Sequence, residues 1–117
     1  MTEYCRPLKG FGYLALWADG HPSEYQIAAL KRRTVALGQS RGLTMAGVWV
    51  DVLLPASNER PQLRALIGEA TSERPCVAVV LNDELVAPIP CIRVAVVGEL
   101  VTAGLGFVNL RAELAPA

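Results

Sequence analysis

Four short apolar runs divide this chain, and segments with helical spacing lie between them. The runs fall at residues 13–17, 48–54, 76–81 and 107–110. Apolar residues fill them with little polar alternation, the mark of strands covered on both faces. With short connections, the order β-α-β-α-β-α-β predicts a single-domain, three-layer αβα sandwich. Its sheet is mostly parallel, of about four strands, with right-handed crossovers placing helices on both faces. The expected core spans residues 11–110 of a domain covering 1–117, with short tails at each end.

Local signals place the helices. Asp19-Gly20-His21-Pro22 breaks the first run, and Ser23-Glu24-Tyr25-Gln26 carries the Ser-x-x-Gln spacing of a capping box. Ile27, Leu30, Thr34 and Leu37 then form one stripe, while Lys31, Arg32, Arg33 and Arg41 fall mostly on other faces. Gly38 and Gly42 are the expected stop, and Gly10 and Gly12 are read as a turn ahead of the first strand. Pro61 suits the first position of a second helix, with Leu63, Leu66, Ile67 and Ala70 on its buried face. Pro75 bars its continuation. Pro88 and Pro90 are expected to prevent regular structure until about Cys91. Residues 92–103 carry two signals. Their first half is rich in β-branched residues, as strands are. Ile92, Ala95, Val96, Glu99, Leu100 and Ala103 nevertheless recur at helical spacing, and Gly104-Leu105-Gly106 supplies a stop. The helix is the preferred reading, and its apolar residues occupy more than one face.

Composition removes several functions. Eleven basic and eleven acidic residues cancel, so no global field draws the chain to nucleic acid or an anionic membrane. Three cysteines without a Cys-x-x-Cys pair, beside a single histidine, assemble no Cys/His zinc set. No metal and no cofactor is implied. Reduced thiols, the lack of a signal-peptide core at residues 1–7 and the lack of a membrane-length apolar run point to a cytoplasmic protein.

Three pieces, in order along the chain, resemble the catalytic domain of serine recombinases, the resolvase and invertase family. Gly12-Tyr13-Leu14-Ala15-Leu16-Trp17 stands where that family has Gly-Tyr-x-Arg-x-Ser. Ser57-Asn58-Glu59-Arg60-Pro61-Gln62-Leu63-Arg64-Ala65-Leu66 looks like its serine-containing loop followed by Arg-Pro-x-Leu-x-x-Leu. Val79-Val80-Leu81-Asn82-Asp83-Glu84-Leu85-Val86-Ala87 lies where a strand runs into Asp-Arg-Leu-x-Arg. The resemblance implies a resolvase-like fold over nearly the whole chain, but it does not carry the chemistry across. Trp17 occupies the nucleophilic serine's place, and Ala15, Glu84 and Ala87 occupy three arginine places. Among the arginines only Arg60 matches, and in the third motif Asp83 does. Strand cleavage by attack on a phosphate needs an activated hydroxyl and cations around the developing charge. The long dimerisation helix and DNA-reading module that follow in the family are not expected in the residues after 110.

Trp17, Asp19, His21, Arg60 and Asp83 are therefore the candidate residues of a degenerate cleft at the carboxyl ends of the strands, where open α/β sheets place their sites. Each has a plainer reading. Trp17 fills the edge of the core. Asp19 and His21, an acid/base pair in principle, serve the turn and the helix start. Arg60 and Asp83 form a structural pair or are separately solvated. The preferred function is a non-catalytic, resolvase-like protein-interaction or regulatory module, meeting a protein partner or a second copy. Weak accessory binding of nucleic acid through Arg60 and the helix arginines is the second reading. A small enzyme of another class, using Asp19, His21, Arg60 or Asp83, is the third.

Overall fold

The computed structural model describes residues 8–54, 59–73, 75–82, 86–87 and 89–110. Strand β1 (Lys9–Trp17) is followed by a 3-10 turn at Ala18–Gly20, helix α1 (Glu24–Ser40), strand β2 (Thr44–Leu53) and helix α2 (Pro61–Ala70). Strand β3 (Cys76–Val80), helix α3 (Pro90–Thr102) and strand β4 (Gly106–Asn109) complete the order. The sheet runs β2-β1-β3-β4 and every pairing is parallel. The predicted alternation and the four-stranded parallel sheet are both present.

Two apolar clusters hold the layers together. On one face Phe11, Tyr13 and Ala15 of β1 pack with Leu63, Leu66 and Ala70 of α2 and Val96 and Leu100 of α3. On the other, Leu14 of β1 and Val77 and Val79 of β3 meet Leu30 and Leu37 of α1. Alternate residues of a strand point to opposite faces. Residues 11, 13, 15 and 17 of β1 therefore share the face covered by α2 and α3. Both faces are covered by helices, and burial of these side chains is the main term opposing the entropy of the ordered chain.

Helix starts follow the local signals. The Ser23 hydroxyl accepts the Gln26 amide at 3.1 Å, and the Ser23 amide donates to the Gln26 side chain at 2.8 Å. This reciprocal capping box fixes the entry to α1. Helix α2 begins on Pro61 and α3 on Pro90. The preference for helix over strand at 92–103 is borne out. Pro90 opens that helix instead of postponing regular structure to Cys91, because the first helical position has no amide bond to lose.

The glycine readings need correcting. Gly10 and Gly12 lie inside β1, not in a turn before it. A Cβ at Gly12 would stand 2.9 Å from Val48 Cγ2 and 3.2 Å from both Gly47 O and Thr34 Cγ2. The absent side chain lets α1 approach the sheet there. Gly38 likewise stays within α1, where a Cβ would meet Met45 Sδ at 2.5 Å. Gly42, at φ +80°, is the residue that turns the chain into β2.

Candidate functional site

A buried aspartate lies on the α2 face of β2. Asp51 is 2% exposed and aligns with Ala15 across the β1–β2 ladder. Burying a carboxylate is costly unless it is hydrogen-bonded and faces positive charge. Asp51 Oδ1 accepts the Gln62 amide at 2.9 Å, and Oδ2 accepts the Leu63 amide at 3.1 Å and the Tyr13 hydroxyl at 2.8 Å. Gln62 and Leu63 are the second and third residues of α2, whose first-turn amides have no partner within the helix. Arg60, the residue at the cap position, makes no side-chain cap bond. The carboxylate arriving from the neighbouring strand caps α2 instead, and the helix dipole favours its negative charge.

Arg60 closes the cluster. Its guanidinium Nη1 donates to Val86 O at 2.7 Å and to the Tyr13 hydroxyl at 3.3 Å, and the residue is 7% exposed. Tyr13, fully buried, thus accepts from Arg60 and donates to Asp51. Burial, and then the bond to Asp51, push its phenol well above the ordinary tyrosine value, against the Arg60 guanidinium beside it. The phenol stays protonated and works as a relay of hydrogen bonds between a cation and an anion. Among the described residues no buried side-chain nitrogen or oxygen lacks a partner. The cluster ties β1, β2, the start of α2 and the segment at Val86 into one unit, and its hydrogen-bonding capacity is turned inward.

The four sequence candidates among the described residues do not assemble into one site. Trp17, last in β1 and half-buried, packs against the cluster of apolar residues beneath α2 and α3. Asp19 and His21 are exposed, and neither side chain makes a hydrogen bond or ion pair among the described residues. His21 adopts φ 48°, and its amide donates to Ala18 O at 3.0 Å. This residue closes the turn with its backbone. Of those four only Arg60 enters the polar cluster, where it donates to Tyr13 and Val86. Asp83 lies outside the described residues. Tyr13 and Asp51 are the members that sequence reasoning passed over. A lone acid in the middle of the apolar run 48–54 was the signal that a buried counter-group had to exist. Among the described residues no group of three or more His, Cys, Asp and Glu side chains is placed to hold a metal.

No protein-family model matches the chain, and no curated protein matches it. Among solved structures, the C-terminal catalytic domain of ISC1926 TnpA, an IS607-like serine recombinase, superposes with a TM-score of 0.62 at 13% sequence identity. The match covers 94% of this chain and 72% of that chain. The fold is that of a serine recombinase catalytic domain. In this recombinase fold the Tyr13–Asp51–Arg60 cluster lies beneath the carboxyl end of β1, between the sheet and the start of α2. Among the described residues no helix is long and apolar enough to cross a membrane.

Proposed function

We propose that this chain is a non-catalytic module on the recombinase fold, acting through self-association or contact with a protein partner. The observation that carries the reading is the pair of side chains on the site face of β1. Carried over from the resemblance, the nucleophile's position is Trp17 and the nearby arginine's is Ala15. Trp17 has no nucleophilic atom, and Ala15 is fully buried. Ala87, at another arginine position, is fully buried as well, and its carbonyl accepts Arg93 Nε at 3.0 Å. Arg60 is engaged in holding Val86 and Tyr13, which favours a structural role over gripping a phosphate. Those substitutions leave no set of cations around a transferring phosphoryl group.

The contact surface we assign is the outer side of α3. Val94 is 72% exposed and Val101 57% exposed, two turns apart on one face, with exposed Ala95 and Gly98 between them. An uncharged stripe of this kind is what a second subunit covers. The second reading, accessory binding of nucleic acid, has the exposed Lys31, Arg32 and Arg33 in its favour and the zero net charge against it. The third has Asp19 and His21, exposed and without a partner group among the described residues, and Arg60, whose guanidinium is bound to Tyr13 and Val86, while Asp83 lies outside the described residues.

Light scattering across a concentration series tests the self-association. The wild-type chain is expected to form dimers at micromolar concentration, and the V94E/V101E double variant to stay monomeric with an unchanged circular dichroism spectrum. A wild-type protein that remains strictly monomeric at high concentration overturns it.

A further inference from the structure

The outer edge of β2 lacks the usual protections against a further strand. Among the described residues strand β2 pairs with β1 on one side and with no strand on the other. Such edges are normally guarded by outward charges or proline. Thr-Met-Ala-Gly-Val-Trp-Val-Asp-Val-Leu contains no proline and no lysine, and its single charge, Asp51, is turned into the cluster beneath α2. The one disruption is the register shift opposite Gly10 and Phe11, near the strand's start.

Beside this edge runs a groove of about 570 Å3 between α1 and β2. Its α1 wall is a stripe of Lys31, Arg32, Val35, Ala36 and Gln39, and its β2 wall runs from Ala46 to Trp49. At 1.5 Å per residue the α1 stripe is about 12 Å long, room for about four residues of extended chain. Lys31 and Arg32 are exposed, and neither pairs with a carboxylate among the described residues. The wall is thus cationic at one end and apolar in its middle.

We propose that the β2 edge takes an extended acidic peptide segment as an added strand. Main-chain bonds to β2 would supply affinity, and side chains on alternate positions would face the α1 wall. Carboxylates there meet Lys31 and Arg32, and the methylene stems of those acids lie along Val35 and Ala36. A second copy of the chain fits poorly. Antiparallel pairing of two β2 edges about a two-fold axis sets the two α1 helices side by side on one face, where each copy's stripe from Lys31 to Gln39 meets another that holds no acid for its cations. This site is separate from the α3 stripe and does not depend on it.

The probe is a short fluorescein-labelled peptide of Glu-Val repeats, followed by anisotropy on the full chain and by hydrogen exchange. Binding is expected, together with slowed exchange of β2 amides in 44–53. K31E/R32E should weaken it about tenfold, and a Gln-Val peptide should lose about as much. Both variant side chains are exposed and make no bond among the described residues, so the urea midpoint should not move. The proposal is overturned by failure of the Glu-Val peptide to bind, by equal binding of the Gln-Val peptide, or by protection confined to α3. It is also overturned if β2 becomes protected by raising the concentration of the protein alone, or if short duplex DNA displaces the peptide at lower concentration than unlabelled peptide does.

Discussion

Replacing Asp51 by alanine tests how the polar cluster works. The substitution removes three acceptor contacts, at 2.9, 3.1 and 2.8 Å, to Gln62, Leu63 and Tyr13. Hydrogen bonds to a charged group contribute about 1.5–3 kcal/mol each, but contacts within one network do not add. The loss of a helix cap alone costs about 1 kcal/mol. The Arg60 guanidinium, linked to Asp51 through the Tyr13 hydroxyl, also loses the negative charge it faces across that bridge. Arg60, 7% exposed, is the charge left behind. A destabilisation of about 3–5 kcal/mol is expected, a large part of the roughly 5–15 kcal/mol that holds a domain folded. The melting temperature should fall by about 10–20 °C. Urea unfolding followed by far-ultraviolet circular dichroism at neutral pH, with linear extrapolation, measures it. Asp51→Asn keeps one acceptor oxygen but points an amide donor at other donors, so it should fall between alanine and wild type. Glu69→Ala, on the exposed side of α2, should stay within about 0.5 kcal/mol. An Asp51→Ala variant within about 1 kcal/mol of wild type would refute the assignment of Asp51 as the acceptor that joins β1 to α2.

Further expectations follow from the same contacts. The folded Tyr13 phenol has a raised pKa, so above about pH 10 the unfolded chain loses that proton while the folded one keeps it, and stability falls with rising pH by up to about 1.4 kcal/mol per unit. Tyr13→Phe should flatten this alkaline slope in urea melts at pH 9 to 11, and an unchanged slope would show that another group causes it. Gly12→Ala should destabilise by about 1–3 kcal/mol, since its Cβ would press on Val48, Gly47 O and Thr34, and a neutral effect would mean that α1 can retreat from the sheet.

Much of this architecture could be read from local signals. The run at 76–81, the Ser23–Gln26 box and Pro61 each name an element from its own residues, and the structure uses each in that way. Glycines misled where their cause was distant. Gly10 and Gly12 look like a turn locally, yet they are strand residues kept small by Met45, Val48 and Thr34, contacts that exist only once β2 and α1 have packed. The polar cluster was hidden for a similar reason. Its partners come from residues 13, 51, 60 and 86, joined by no spacing rule. Attention to the carboxyl ends of strands led instead to Asp19 and His21, whose neighbours are set by a turn of the backbone. Trp17 is unlike these, because its chemistry is legible without any neighbour.

The central claim, that Trp17 marks a recombinase fold without strand cleavage, is tested most directly on supercoiled plasmid DNA. Wild-type protein is incubated with the plasmid, the mixture is denatured, and nicked and protein-linked DNA are resolved on a gel. The plasmid should remain supercoiled and unlinked, with wild type and with Trp17→Ser, because Ala15, Glu84 and Ala87 still stand at three arginine positions. Nicked DNA bound covalently to the wild-type protein would contradict the account.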